Sequence, residues 1–332
     1  MTMRLLLGTN NFSEAQPSPL LYSLSYDPGA RSFSPPVPLP FPFHGPGFVA
    51  FGPPSASPPL AYVADECLSG RIHVLSLATS PPSLLSSRAC PGNPCHVSLS
   101  RTHLHAACYH GTVLSFPLSG TSLLPPTPTS TRALHAAASP RPEPDRCEAP
   151  HPHCALELAP GRLLVADLGA STLSLHAPPA APVVHSSAGG GCRSFVVAGD
   201  VVHVLNELHC TVSALSLPGL DLLSTVSLLA PGEAPSRGHH LGGGGILLAG
   251  GRLYCTTRQT SPGRVHVLSV EPLEKVSEVG SGGDIPRHLS ASADGRVLFV
   301  ANQGRGGGGA VAAFEIGGGG ALTEAGRAEV PA

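Results

Sequence analysis

The chain has 332 residues, with 39 glycines, 37 prolines, no tryptophan and 19 basic against 21 acidic side chains. That balance excludes the basic footprint of a nucleic-acid binder and the charged patch of a membrane-surface protein. No apolar run reaches the roughly 18 residues that a membrane helix needs, and one lysine, Lys275, against eighteen arginines reads as codon bias.

In chain order, Met1–Phe12 holds only three consecutive leucines before polar residues. That is too short for a secretory core, so it reads as a first strand and a cytoplasmic location is expected. A paired motif then recurs: an apolar run ending near Asn, Asp or Glu, followed by a second strand of the V-x-x-L type. Its copies are Arg4–Asn10 with Leu20–Tyr26, Leu60–Glu66 with Arg71–Leu77, and His103–Gly111 with Thr112–Leu118. Arg162–Gly169 with Ser171–Ala177, Val201–Leu208 with Thr211–Leu217, and Arg252–Arg258 with Arg264–Val270 continue the series, and Arg296–Asn302 with Ala310–Ile316 ends it. Seven units roughly 40–60 residues apart, with about four strands each, are the signature of a β-propeller. The fold class is therefore all-β, a seven-bladed β-propeller, as one domain over residues 1–332.

Residues before Gly47 are expected to give the outer part of the first blade, with a Pro-rich connection at Ser34–Pro46. Phe48–Phe51, Cys95–Ser100, Cys154–Leu158, Ser194–Val197, Ile246–Leu248 and His288–Ser292 open the later units as inner strands. The stretch Ser119–Pro150 is dense in Pro, Ser, Thr and Ala, a composition that cannot bury a core, and is expected to be a mobile surface insertion. Helix signals are nearly absent. Nine scattered cysteines with no C-x-x-C pair point to reduced, buried thiols. Cys95-His96, His153-Cys154 and His209-Cys210 are sequence neighbours that a strand would point to opposite faces, so no metal site is expected.

Three polar clusters interrupt the apolar repeats: His151-Pro152-His153, Asn206-Glu207-Leu208 and Pro286-Arg287-His288, with Cys192-Arg193-Ser194 in the slot equivalent to the last. His153, Arg193 and Arg287 precede the first strand of their units, and Glu207 ends the second strand of its unit. First and second strands are antiparallel, so all four side chains are expected at one end of the central channel. His96 and His240 hold similar slots and are candidate site-lining residues, whereas His151 reads as a turn residue. Arg193, Arg287 and Glu207 also have a bland reading as salt-bridge partners between blades. The single lysine has no Gly-rich loop before it, and Gly304–Gly309 joins two strands rather than a strand and a helix, which rejects dinucleotide binding.

The segments GNPCHVSLS, HPHCALELAPGRLLVADLG, VVHVLNELHCTVSALSL and GGDIPRHLSASADGRVLFVANQG resemble the lactonase family of seven-bladed β-propellers, which contains 6-phosphogluconolactonases and carboxy-cis,cis-muconate lactonising enzymes. The resemblance runs from Leu5 to about Val330 and is sharpest at N-E-L and P-R-H. It implies His153, Glu207 and Arg287 as catalytic residues, Arg193 as a further arginine at the site, a small anionic lactone as substrate, and no cofactor. This chain departs from the pattern at Cys192-Arg193-Ser194. One more apolar strand would also be expected against the first blade where the chain reaches Ala332, leaving closure to N-terminal strands. Hydrolysis would use Glu207 or His153 as general base and the two arginines as an anion clamp. Cyclisation of a muconate, or a propeller that binds a protein or ligand without catalysis, are the other readings.

Overall fold

The computed structural model describes residues 2–9, 21–41, 43–130, 144–236, 238, 241–305 and 308–331. Each unit read from the sequence becomes one antiparallel sheet, and there are seven. The first contains β1 (Met3–Gly8), β2 (Leu21–Asp27), β3 (Ser32–Phe33) and β4 (Val37–Pro38), the last two sharing the edge of β2. The second is a four-strand meander, β5 (Pro46–Phe51), β6 (Leu60–Asp65), β7 (Arg71–Ser76) and β8 (Ser83–Ala89). The third holds β9 (Pro94–Leu99), β10 (His103–Cys108) and β11 (Thr112–Ser119), with β12 (Ser122–Leu123) and β13 (Thr127–Ser130) both on β11; a short helix, α1 (Pro144–Cys147), follows.

The remaining sheets repeat the meander. They are β14 (Pro152–Ala159), β15 (Arg162–Asp167), β16 (Thr172–His176) and β17 (Val183–Ser186); then β18 (Cys192–Ala198), β19 (Val201–Asn206), β20 (Thr211–Ser216) and β21 (Leu222–Ser227). The sixth runs β22 (Gly243–Ala249), β23 (Arg252–Thr257), β24 (Arg264–Ser269) and β25 (Glu274–Gly280). The seventh runs β26 (Pro286–Ala291), β27 (Val297–Asn302), β28 (Gly308–Ile316) and β29 (Leu322–Pro331).

The second strand of a blade is covered on both faces by neighbouring blades, so its sequence is a continuous apolar run rather than an alternating one. All six residues of β6 are buried, for example. The outer strands face water on one side and read accordingly, as in Leu222–Ser227, whose residues are all exposed or half-buried. Seven buried apolar clusters result, one at each blade–blade interface. The seven-bladed propeller expected from the sequence is the fold observed.

Residues 3–38 supply the strands of the first sheet, and β1 lies beside β5 of the second blade. One expectation changes. The supposed surface insertion is partly structural: Thr127–Ser130 pairs with β11 as an outer strand, and α1 buries Arg146 and Cys147. Residues 131–143 of that stretch lie outside the described residues.

The ring joins its last and first blades by side-chain packing. Tyr26 is fully buried against the last blade, its ring edge-on to Phe299 at 5.5 Å and its hydroxyl donating to the Ala325 carbonyl at 3.1 Å. Arg31 Nε donates to Glu315 Oε1 across the same seam at 2.9 Å, an exposed pair worth little. Truncating a buried aromatic costs about 3–5 kcal/mol. Tyr26→Ala is therefore expected to lower unfolding stability by that amount, measured by urea titration, whereas Arg31→Ala changes it by less than about 1 kcal/mol.

Candidate active site

The inner strands share a local defect that builds the site. In β5, β9, β14, β18, β22 and β26 the pairing register slips near the N-terminal end. A bulge leaves its extra residue out of the ladder and re-aims that side chain. The extra residues are Gly47, Cys95, His153, Arg193, Gly244 with Gly245, and Arg287. All of them line one cavity of about 870 Å³ at the centre of the ring. His153, Arg193 and Arg287 are thus gathered as expected, as the bulge residues of inner strands rather than as residues just before them.

Just beyond the C-terminal ends of the second strands lies another set: Glu66, Tyr109, Leu168, Glu207, Arg258 and Gln303. These support the first set. Arg287 Nε donates to Gln303 Oε1 at 2.8 Å. Arg193 donates from Nη1 to Glu207 Oε2 at 2.5 Å and from Nε to the Gly244 carbonyl at 2.7 Å. Gly244 has no room for a side chain, because a Cβ there would lie 2.0 Å from the Pro286 carbonyl oxygen.

Glu207 is wholly buried and is not part of the cavity wall. Besides Arg193 it holds Arg146 Nη2 at 2.6 Å and Arg258 Nη2 at 3.0 Å. Burial alone would raise its pKa, but Arg258, Arg193 and Arg146 outweigh that and keep the carboxyl well below the usual carboxylate range. A carboxylate so strongly stabilised is a poor base, and it is screened from the cavity by its arginines. The contact that the structure gives Glu207 is a positioning one, holding Arg193 from behind the cavity wall. Arg146 and Arg258 escaped the sequence reading. Arg146 sat in a stretch dismissed as a surface insertion; Arg258 ends RLYCTTR in the slot that Glu207 holds in its own unit, which was a legible signal.

The remaining electrostatics follow from burial and crowding. Burial, then the Arg193 charge, pushes the His153 imidazole well below its usual value, so it is a neutral acceptor near pH 7. Burial, with Arg258 and Arg193 nearby, likewise lowers Arg287, opposed by Glu207 and Glu66. Burial takes Arg258 down to about 10 against the pull of Glu207. The cavity wall carries Arg193, Arg287 and Arg305 against one carboxylate, Glu66, an excess of two positive charges. Such a site favours an anion.

His96 lines the cavity, but Cys95 holds the bulge slot. The His96 ring packs on Phe48 with centroids 4.6 Å apart, Nε2 lies 3.5 Å from the Cys154 sulfur, and burial takes its pKa down to about 3. His240 lies outside the described residues. His151 is a satisfied structural group: its N–H donates to Asp167 Oδ1 at 2.7 Å, and its ring stacks on Tyr109 and bonds Glu148 Oε1 at 2.8 Å.

The chain matches the family described as lactonase, 7-bladed beta-propeller, over residues 16–331. It belongs to that family. Among solved structures, it is similar to the periplasmic gluconolactonase of Pseudomonas aeruginosa, at 21% identity and TM-score 0.81, covering 100% of this chain and 96% of that one. It is also similar to a Bacteroides fragilis protein described provisionally as a 6-phosphogluconolactonase, at 21% identity and TM-score 0.77, covering 99% and 98% of the two chains. A Lactobacillus plantarum protein gives 20% identity and TM-score 0.80, covering 99% and 100%. At these identities the structural likeness speaks for the fold alone. A search of curated proteins finds no match.

Removing the Glu207 charge strands three buried guanidiniums, a loss of about 3–5 kcal/mol. Glu207→Gln is expected to destabilise the fold by that much in urea titration. Acid should destabilise it too. His96, His288 and His266, at about 3, 4 and 3, stay neutral in the fold well below the ordinary value of 6.5. The unfolded chain protonates first, so stability that is full above pH 6.5 is lost as pH falls toward 4. The slope is at most about 1.4 kcal/mol per pH unit for each group. Tm measured against pH checks this, and His96→Gln should flatten the slope.

Proposed function

We propose that the protein hydrolyses a small anionic lactone of the 6-phosphogluconolactone type to its open acid. The observation that carries this reading is the placement of His153, Arg193 and Arg287 as bulge residues on one cavity with an excess of positive charge. His153, a neutral imidazole, takes a proton from water as the oxygen attacks the ring carbonyl. The oxyanion that forms is opposed by the arginines, which also hold the substrate's phosphate or carboxylate. Collapse breaks the bond from the acyl carbon to the ring oxygen, and the imidazolium returns its proton to the leaving alkoxide. The products are a carboxylic acid and a hydroxyl group on one chain, with no redox change. Glu207 fixes Arg193 through a short ion pair and takes no proton.

A muconate cyclase would need the same clamp and the same proton carrier, and no residue at the cavity favours it over hydrolysis.

General-base assistance is worth roughly 10²–10⁴-fold, so His153→Ala should lower kcat on 6-phosphogluconolactone at least 100-fold with little change in Tm. Arg287→Ala should chiefly raise KM, with Arg287→Lys only partly restoring it, since a lysine cannot make the bidentate contact. The acid limb of kcat/KM should lie below pH 6.5, because the depressed His153 stays a base until the pH falls beneath its own value. Unchanged rates in His153→Ala would remove the imidazole from the mechanism; turnover of carboxymuconate but not of the phosphosugar lactone would transfer the site to cyclisation.

A further inference from the structure

The residue just past the second strand of a blade can hold the bulge residue that reaches the cavity. Arg193 is held by Glu207 and Arg287 by Gln303, each pair within one blade. His153 departs from this pattern, because the equivalent slot of its own blade is Leu168, whose side chain offers no hydrogen bond. The His153 imidazole hydrogen-bonds its own backbone, and among the described residues no other side chain bonds it. A base is ordinarily oriented by a third group, so what holds this ring must lie elsewhere.

The holder comes from the blade before. Tyr109 fills the slot after β10 of the third blade, and β10 packs against β14, the strand that carries His153. The Tyr109 and His153 rings meet edge to face, with centroids 6.1 Å apart and planes at 89°, a favoured arrangement for two aromatic rings. On its flat side Tyr109 stacks on the His151 ring, at 4.1 Å and 10°. His151 Nδ1 also donates to the Tyr109 carbonyl at 2.7 Å. Tyr109 is thus seated against both ends of His151-Pro152-His153.

The hydroxyl has a separate task. Arg146 Nε donates to it at 3.2 Å, while Arg146 Nη2 donates to Glu207 Oε1 at 2.6 Å. The other Glu207 oxygen accepts from Arg193 Nη1. One side chain of the third blade therefore touches the imidazole with its ring and reaches Arg193, through two ion pairs, with its oxygen. Tyr109 is not on the cavity wall and touches no ligand there. Burial dominates the surroundings of His153; Arg193 and Arg146 add to it in favouring the neutral ring, and Glu207 opposes them. Of the other titratable neighbours, Cys95 lies with its sulfur 3.5 Å from the Pro152 carbonyl, and Asp167 is turned to the His151 and Ala170 amides.

We propose that Tyr109 is a positioning residue for hydrolysis: its ring fixes the His153 imidazole toward the cavity, and its hydroxyl steadies Arg193 through Arg146 and Glu207. This role presupposes His153 as the general base of lactone hydrolysis. A residue that merely fills the seam between the third and fourth blades would act through its volume, and an apolar side chain would serve as well. A positioning ring acts through its shape, and its loss frees the imidazole to turn away from the cavity. The two tasks are separable, since phenylalanine keeps the ring and loses the oxygen, whereas leucine loses both.

The test combines steady-state kinetics of the full chain on 6-phosphogluconolactone with NMR titration of His153, whose resonance is the one lost in His153→Ala. Tyr109→Phe should raise KM about threefold, through the lost bond to Arg146, and hold kcat within about twofold. Tyr109→Leu should share that rise and also lower kcat about 3–10-fold. It admits water to the imidazole, so the His153 midpoint and the acid limb of kcat/KM should both move up toward 6.5. In a His153→Ala background, Tyr109→Leu should lower kcat no further. Should Tyr109→Leu unfold, Tyr109→Met fills the same space with a flexible chain and takes its place. Equal kcat in all three proteins, an unmoved His153 midpoint, or equal losses of kcat in the phenylalanine and leucine variants would overturn the proposal. Wild-type rates in His153→Ala, or no hydrolysis by the native chain, would sink the lactone reading instead, and the His153 midpoint alone would then decide whether the ring contact holds.

Discussion

A single buried carboxylate ties three parts of the ring together. Glu207 stands just past the second strand of the fifth blade, yet its arginine partners come from the connector after the third blade (Arg146), the fifth blade's own bulge (Arg193) and the sixth blade (Arg258). Burying one anion among three cations is tolerable only if each charge is closely bonded, since the desolvation cost per ion is several kcal/mol. Arg193 carries that network to the cavity wall, where Arg287 also lies, so the interaction that fixes the centre of the ring borders a wall that favours an anion.

The cavity wall depends on a second constraint. A regular strand would alternate its side chains between neighbouring blades and leave nothing pointing along the channel. One extra residue near the start of each inner strand breaks that alternation, so the wall is written at Gly47, Cys95, His153, Arg193, Gly244 and Arg287. Small residues at Gly47, Cys95 and Gly244 make the space; the imidazole and guanidiniums at the others supply the chemistry. Function here is a choice of residue at a repeated defect in an otherwise uniform scaffold.

Much of this could be read from the chain. Period and apolar runs gave seven sheets, and polar clusters at fixed offsets from strand starts gave His153, Arg193 and Arg287, because strand alternation is local and antiparallel pairing carries it into space. Glu207 was found, but its surroundings were not. No spacing rule says that three arginines 61, 14 and 51 residues away will converge on it. Arg258 needed only comparison of equivalent slots between units. Arg146 could not have been found that way, since it lies outside the repeat, where composition suggested nothing but loop. The bulges were equally hidden, because a one-residue register slip leaves no mark on hydrophobic patterning.

The placement of Arg146 has a mechanical meaning. A propeller's sheets meet along flat apolar faces that resist compression well but sliding and splaying less. The helical turn at Pro144–Cys147 leaves the third blade, skips the fourth, and fastens to a group shared by the fifth and sixth. One ion pair thus spans the hub between blades that are not neighbours, so the spread of the third blade is coupled to that of the fifth and sixth through a single shared group.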